Sequence, residues 1–407
     1  FYKTDDDFNQ GVVACYAKLK TQMSFHLTEI GYRGDENVLE SMAVSTQNRY
    51  DIDHFAETAN NGILNDIWNA WYNGIYRCND VLDHMTGAKI ANYDKYRGEC
   101  LFLRSWWYFN LYRVFGVVPI TRTVVTPAAA KLIPRCTEEE MYTLLTEDLA
   151  EAARLLPPTP GPEKARVANI AAYTLLAKVY LTFGKPAEAK TALEEAMKNT
   201  SYGLESTTKK VFDVGNKMNR EIIFALYYNK TNDNGHGYWY SANTDVLADI
   251  NNPTPTFKAI YDSEKDNRLP LISSYTKIKD NLFAMTKWYD TYDATYTTQV
   301  GNDFPHLRYA DVVLMYAEAL AESGGSLGDA LEWLNKTRTR AGLDELTTDE
   351  VKSLAEFRRE LAAERGREFA LEGHRWFDLV RLGLAVDYFR EMGYSLDSHN
   401  LIFPIPQ

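Results

Sequence analysis

The spacing of apolar residues along the chain is mainly that of amphipathic helices. After Tyr309, apolar side chains recur three, four, seven, eight and eleven residues later, which places them on one helical face. Four prolines at 157–162 end one such segment and open the next. Besides the helix beginning at Tyr309, the pattern predicts helices at about 5–30, 62–85, 93–115, 138–156, 165–183, 186–199, 328–340 and 353–372.

Two helix pairs repeat one pattern, that of tetratricopeptide units. The first pair has Tyr173, Leu176, Ala177 and Tyr180, followed by Ala189 and Leu193. The second has Val313, Tyr316, Ala317 and Leu320, followed by Ala330 and Leu334. Residues 101–108 resemble a degraded first helix of a third unit. Generic antiparallel helices are the alternative interpretation.

Between about 202 and 305 the helical periodicity stops. Residues 221–229, "EIIFALYYN", have the β-branched and aromatic bias of a strand, and segments mixing Asn, Asp, Gly, Pro and Thr with aromatics follow. Long ordered loops on a rigid scaffold commonly carry function. We therefore expect a mainly α protein in which tetratricopeptide-like pairs form a right-handed superhelical scaffold, with a loop-rich insertion carrying short strands and the ligand site. The expected organisation is one domain, 1–407, with its scaffold at about 1–200 and 306–407.

Composition excludes several classes. The chain of 407 residues has 44 basic and 56 acidic residues, a net charge of −12 and no basic run, which argues against nucleic acid as a partner. No apolar stretch is long enough to span a bilayer, and the first ten residues do not read as a signal peptide. The spacing of Cys15, Cys78, Cys100 and Cys136 predicts no zinc site and leaves two disulfides or free thiols open. Aromatic residues make up 13% of the chain, which favours recognition of partly polar ligands.

Two short motifs imitate catalytic or metal sites. "GGSLG" at 324–328 fits the nucleophile elbow of hydrolases, but a helix precedes it where the elbow needs a strand, so Ser326 is expected in a turn between helices. The acids Asp5, Asp6 and Asp7 suit the first turn of a helix better than a metal site. We predict no catalytic residue, no bound metal and no cofactor.

The stretch "EGHRWFDLVRLG" at 372–383 has the residue types of a catalytic centre. Its acids and arginines continue a charged segment from residue 357, where pairs such as Arg365 with Glu368 suit a partly buried ion-pair lattice. His374 and Asp378 are four residues apart, but no nucleophile is placed to complete a triad. We therefore interpret the stretch as structural.

Seven blocks along the chain resemble, in family order, the SusD/RagB family of outer-membrane nutrient-binding lipoproteins. They lie at 68–83, 96–120, 168–184, 308–325, 334–343, 358–383 and 403–407. The resemblance implies a protein that binds oligosaccharides without cleaving them and passes them to a TonB-dependent, SusC-like transporter. It also implies a lipid anchor on the extracellular face of the outer membrane, through an N-terminal cysteine that this sequence does not contain.

Glycan sites in that family use aromatic platforms with polar side chains, drawn from the loop after the first helix and from the irregular insertion. Applied to this chain, the resemblance makes these side chains candidates for ligand binding: Asp35, Asn37, Tyr50, Asn234, Tyr238, Trp239, Tyr240, Trp288 and Tyr292. The segment around Trp288 also reads as a buried strand.

Three alternatives stay open. The RagB branch implies capture of peptides, in a groove that uses backbone pairing. A helical glycoside hydrolase would need two carboxylates about 5 to 10 Å apart in a cleft. A plain tetratricopeptide scaffold would bind only protein.

Overall fold

A computed structural model describes residues 2–36, 47–161, 164–229, 241–243, 253–279, 282–290 and 301–407. The chain divides into two compact units. The first unit comprises Phe1–Met23, Glu57–Asn199 and His399–Gln407, and the second comprises Ser24–Ala56 and Thr200–Ser398. The last long helices thus group with the loop-rich segment, which differs from the expected scaffold of 1–200 with 306–407.

The protein is mainly α-helical, as the periodicity predicts. The helices are α1 (Asp5–Gly31), α2 (Gln47–Asp53), α3 (Gly62–Met85), α4 (Tyr93–Phe115), α5 (Pro127–Ala130), α6 (Glu138–Leu155), α7 (Asn169–Thr182), α8 (Pro186–Met197), α9 (Thr208–Val211), α10 (Pro255–Lys258), α11 (Leu269–Ser273), α12 (Tyr309–Glu322), α13 (Leu327–Arg340), α14 (Leu354–Glu368), α15 (Arg375–Arg381) and α16 (Ala385–Glu391). None of these described helices has the length and apolarity to cross a membrane.

In the first unit, successive helices pack on one another: α3 on α4, α4 on α6, α6 on α7, and α7 on α8. Trp71 of α3 and Trp107 of α4 are fully buried between their helices. A Cβ atom at Gly74 would lie 2.2 Å from the Trp107 ring, so glycine is required for this close approach. The predicted pair α7 and α8 is confirmed, with Ala177 fully buried.

In the second unit, α12 packs on α13 and both pack on α14, which confirms the second tetratricopeptide-like pair. The predicted strand at 221–229 is confirmed as β1 (Ile222–Leu226). The other strands are β2 (Ser241–Asn243), β3 (Tyr275–Lys279), β4 (Leu282–Met285) and β5 (Phe304–Arg308). β1 pairs antiparallel with β5, and β4 lies between β2 and β3, antiparallel to both.

The motifs at 324–328 and 5–7, which resemble catalytic or metal sites, have the expected structural roles. The Ser326 side chain caps α13 by accepting a hydrogen bond of 3.0 Å from the backbone N–H of Asp329. Asp7 accepts hydrogen bonds from the backbone N–H groups of Lys3 and Thr4 at the start of α1.

The four cysteines are free thiols.

Candidate functional site

Three aromatic side chains on α3, four residues apart, form a row along one face of the helix. These residues are Trp68, Tyr72 and Tyr76. Side chains four residues apart lie one turn apart on the same face, so the three rings follow the helix axis over about 12 Å. The opposite face of α3 is buried in the core of the first unit. We call the three residues the aromatic row.

The aromatic row changes from partly buried to exposed along the helix. Trp68 is partly buried, and its ring lies 4.9 Å from that of Tyr72 and 5.3 Å from that of Phe115. The Tyr72 hydroxyl donates a 2.7 Å hydrogen bond to the Pro119 carbonyl, and burial raises the pKa of this hydroxyl, which stays protonated. Tyr76 is 48% exposed. The row is therefore partly buried at Trp68 and exposed to solvent at Tyr76.

A loop of residues 119–135, the groove loop, forms the wall facing the aromatic row. An antiparallel bridge between Pro119 and Arg135 closes its base, and the backbone N–H of Cys136 donates to the carbonyl of Val118. The short helix α5, capped by Thr126, lies at its far end. The loop is thus closed by its own backbone.

Buried polar side chains attach the groove loop to α3 and α4. The Asn79 amide is 1% exposed and donates to the Thr121 carbonyl at 2.9 Å, while the Tyr108 hydroxyl accepts a 2.7 Å hydrogen bond from the Thr121 N–H. Arg104 donates to the Arg122 carbonyl and to Asn79, and its other nitrogens form a bidentate pair with Asp148. These contacts hold the wall in place before any ligand arrives.

The aromatic row and the groove loop enclose a groove of about 720 Å³, within the range of small-molecule sites. Its lining combines aromatic rings, amides, hydroxyls and aliphatic groups, and contains no acidic or basic side chain. The lining residues are Trp68, Asn69, Tyr72, Tyr76, Asn79, Pro119, Thr121, Thr123, Val124, Val125, Thr126, Pro127, Ala130 and Ile133. Such a surface can stack on the apolar face of a ring and hydrogen-bond the groups at its edge.

The structure corrects two of the residues predicted from sequence. Trp288 is fully buried, with its ring 5.1 Å from Phe212 and 6.1 Å from Phe304, so it has no face open to a ligand. Asp35 is 2% exposed, and its oxygens accept hydrogen bonds from Arg375 and Tyr388. Both side chains are part of the interior of the second unit.

Of the other predicted site residues, the structure describes only Tyr50. Tyr50, on α2 of the second unit, is partly buried and stacks on His54 with a ring separation of 3.8 Å. The remaining candidates lie outside the described residues: Asn37, Asn234, Tyr238, Trp239, Tyr240 and Tyr292. These seven side chains stay predictions.

The stretch at 372–383 belongs to a buried ion-pair lattice in the second unit. Arg365 pairs with Asp311 at 2.9 Å and with Asp378 at 2.8 Å. Burial by itself would raise the pKa of Asp378, but the charges of Arg365 and Arg381 hold it well below its usual range. His374 stacks on Phe369 with a ring separation of 4.6 Å. The structural interpretation of this stretch is confirmed by these contacts.

The expected local pair of Arg365 with Glu368 is wrong. Glu368 pairs instead with Arg268, Arg308 and Arg340, because fully buried side chains on α14 face other elements of the unit.

Among the residues that the structure describes, no cluster of His, Cys, Asp and Glu is arranged to hold a metal ion.

The sequence-based prediction also missed the aromatic row. Its signal is present in "WNAWYNGIY", where Trp68, Tyr72 and Tyr76 recur every four residues on the face opposite the apolar stripe of α3. The groove loop has no comparable signal, since contacts between residues about 40 positions apart hold it.

Comparison with protein families gives two matches that together cover most of the chain. Residues 267–404 match the SusD family, and residues 7–181 match a family described as starch-binding and associating with the outer membrane. The chain belongs to the SusD-like family.

Relatives of this SusD-like chain support the assignment over its full length. SusD-like protein P2 of Formosa agariphila is 26% identical, over 97% of this chain and 86% of the relative. A SusD superfamily protein of Bacteroides vulgatus has a TM-score of 0.84 at 24% identity, over 100% of this chain and 96% of that one. Surface glycan-binding protein A of Bacteroides thetaiotaomicron, solved with laminarihexaose, has a TM-score of 0.80 at 21% identity, over 100% and 97%. The two structural likenesses show a shared fold.

Proposed function

We propose that this SusD-like chain is a non-catalytic binding protein that captures oligosaccharides in the groove between the aromatic row and the groove loop. The observation that carries the proposal is the groove itself, where a row of aromatic side chains, with amides on the same helix, faces the hydroxyl and aliphatic groups of a wall fixed by buried hydrogen bonds. A sugar ring offers an apolar face to Trp68 or Tyr76 and hydroxyls to Asn69 and Thr123. The starch-binding description of the matched family and the laminarihexaose complex of a structural neighbour support a glycan as the ligand.

Binding without cleavage is part of the proposal. Hydrolysis of a glycosidic bond generally requires two carboxylates close to the bond, and the residues that line this groove include neither Asp nor Glu. A ligand held in the groove would therefore meet no acid and no base.

The test is calorimetric titration of the purified chain with a panel of neutral and acidic oligosaccharides and a peptide mixture, followed by chromatography of the incubated glycans. We expect heat of binding with at least one glycan and no released sugar. Binding of peptides alone would contradict the proposal in favour of peptide capture. Released sugar would contradict the non-catalytic part.

We further propose that the protein acts on the extracellular face of the outer membrane, anchored by a lipid, and passes its ligand to a TonB-dependent, SusC-like transporter. The support is the description of the matched family as associating with the outer membrane. Surface proteolysis of intact cells and co-purification with the transporter test this. Protection from protease in intact cells, together with recovery without a transporter, would contradict it.

The residues predicted from sequence supply a competing location. Tyr50 and the six candidates outside the described residues, Trp239 among them, stay proposals for the same function. Alanine variants of Tyr76 and Trp239, titrated with the same glycan, distinguish the two locations.

A further inference from the structure

The groove of the first unit has an uncharged lining, although 25% of the residues of the chain are charged. Its polar groups are amides and hydroxyls, contributed by Asn69, Asn79, Thr121, Thr123 and Thr126, together with the tyrosines of the aromatic row. All of the lining lies between residues 68 and 133, which the structure describes without a gap. The ligand therefore meets donors and acceptors, but no formal charge.

Three basic side chains near the lining are engaged elsewhere, and two more, Lys131 and Arg135, are exposed and do not line the groove. Arg122 lies between two lining residues of the groove loop, yet its guanidinium pairs with Glu147 at 2.9 Å. Arg77 follows Tyr76 on α3 and donates to Asn73 at 3.1 Å. Arg104 is buried beneath the loop and paired with Asp148. None of the three is among the groups that line the groove.

Three features disfavour an anionic ligand. The wall facing the aromatic row is largely aliphatic at Val124, Val125 and Ile133, and a carboxylate or sulfate placed there would lose water without gaining a cation. The Asp83 carboxylate accepts a 2.8 Å hydrogen bond from the Val124 N–H, which places a negative charge beside the wall. The net charge of −12 adds repulsion at longer range.

We infer that the groove selects electrically neutral saccharides and rejects uronic-acid or sulfated ones. This inference rests on the proposed function, which it narrows from glycans in general to uncharged glycans. Recognition then depends on stacking and on hydrogen bonds between neutral partners, so affinity depends little on ionic strength.

The test compares one neutral oligosaccharide that binds with the same oligosaccharide oxidised to carry carboxylates. We expect the dissociation constant of the oxidised form to be at least about tenfold higher. We also expect the dissociation constant of the neutral form to change less than about twofold between low salt and about 0.5 M salt.

A variant that adds a cation to the lining tests directly whether the missing charge causes the preference for the neutral ligand. Thr123→Arg should lower the dissociation constant of the oxidised ligand and reduce the difference between the two forms. Thr159→Arg is the matched control, because it adds the same charge at an exposed threonine of the first unit that does not line the groove. We expect this control to retain the wild-type preference.

The possible results are distinguishable. Equal or tighter binding of the oxidised form, weakened by Tyr76→Ala, would overturn neutral selectivity and leave glycan capture in this groove intact. Strong weakening of neutral-ligand binding by salt would also overturn neutral selectivity and leave glycan capture in this groove intact. Failure of every saccharide, neutral and acidic, would overturn the proposed function together with the inference.

Discussion

At the residue scale, position on α3 decides what an aromatic side chain does. Trp71 is fully buried and serves packing, Tyr72 is partly buried and holds the groove loop through its hydroxyl, and Tyr76 is 48% exposed. Trp288 shows that an aromatic side chain within the loop-rich segment can nevertheless be fully buried. Residue type and local composition do not distinguish a platform from a core side chain, because burial depends on the contacts of the folded unit.

Replacement of Tyr76 by alanine should weaken glycan binding without loss of stability. An exposed ring that forms part of a recognition surface contributes about 1 kcal/mol or more to binding, and its removal from the surface changes the free energy of unfolding by about 0.5 kcal/mol or less. Titration calorimetry and thermal unfolding measure the two quantities. Tyr173→Ala, on α7 and outside the groove, is the matched control. Equal binding by the two variants would contradict the role of Tyr76.

The pH dependence of stability should change when Glu36 is replaced. Burial raises the pKa of this carboxyl to about 8, with Asp35 adding to the shift and the Leu371 N–H, Arg375 and Lys287 opposing it. The unfolded value is about 4.5, so the folded chain holds a proton that the unfolded chain releases. The contribution of this group is complete below about pH 4.5 and is lost as pH rises through about 8.

Glu36→Gln keeps a neutral acceptor and removes this titration. We expect the wild type to lose stability relative to the variant as pH rises from about 5 to about 8, by at most about 1.4 kcal/mol per pH unit. Urea unfolding at several pH values measures the difference. Parallel stability curves for the two proteins would contradict the assignment.

At the element scale, the helices follow from the sequence and the binding surface does not. The apolar spacing of α3, α4, α12 and α13 predicts their ends to within a few residues, because helix formation depends on local periodicity and on caps such as Ser326. The groove loop is different, since its position depends on a buried amide at Asn79 and on the closing bridge of its own ends. Such contacts leave no periodic pattern. For the same reason the predicted partner of Arg365 was wrong, although the prediction that Arg365 belongs to an ion-pair lattice was right.

Arg308 should be among the most sensitive positions in the ion-pair lattice. Its guanidinium pairs with Glu221, Glu368 and Glu372, all fully or almost fully buried. Arg308→Ala would remove the cation that these three buried carboxylates share and leave their charge less completely compensated, which costs about 3 to 5 kcal/mol. Arg390→Ala removes an exposed pair with Asp387 and should cost less than about 1 kcal/mol.

Urea unfolding of the two variants measures this difference. If Arg308→Ala does not fold, Arg308→Lys keeps the charge but loses the planar fork, and should still destabilise more than Arg390→Ala. Similar losses for the buried and the exposed position would contradict a structural role for the lattice.

At the scale of the whole molecule, the chain has two compact units with different features. The second unit contains the buried lattice, including the 372–383 stretch that has the composition of a catalytic centre. The first unit contains an uncharged groove with an aromatic row, fixed by buried hydrogen bonds. Membership of the SusD-like family was predicted from seven sequence blocks and is confirmed along the chain.

The central claim is that the groove of the first unit is where a glycan binds. A crystal structure of the chain with laminarihexaose, or with the neutral oligosaccharide that binds most tightly in the titrations, tests it most directly. We predict sugar rings stacked on Tyr76 or Trp68, with hydroxyls hydrogen-bonded to Asn69 or to the threonines of the groove loop. A sugar bound to the second unit while the groove contains only solvent would contradict the claim.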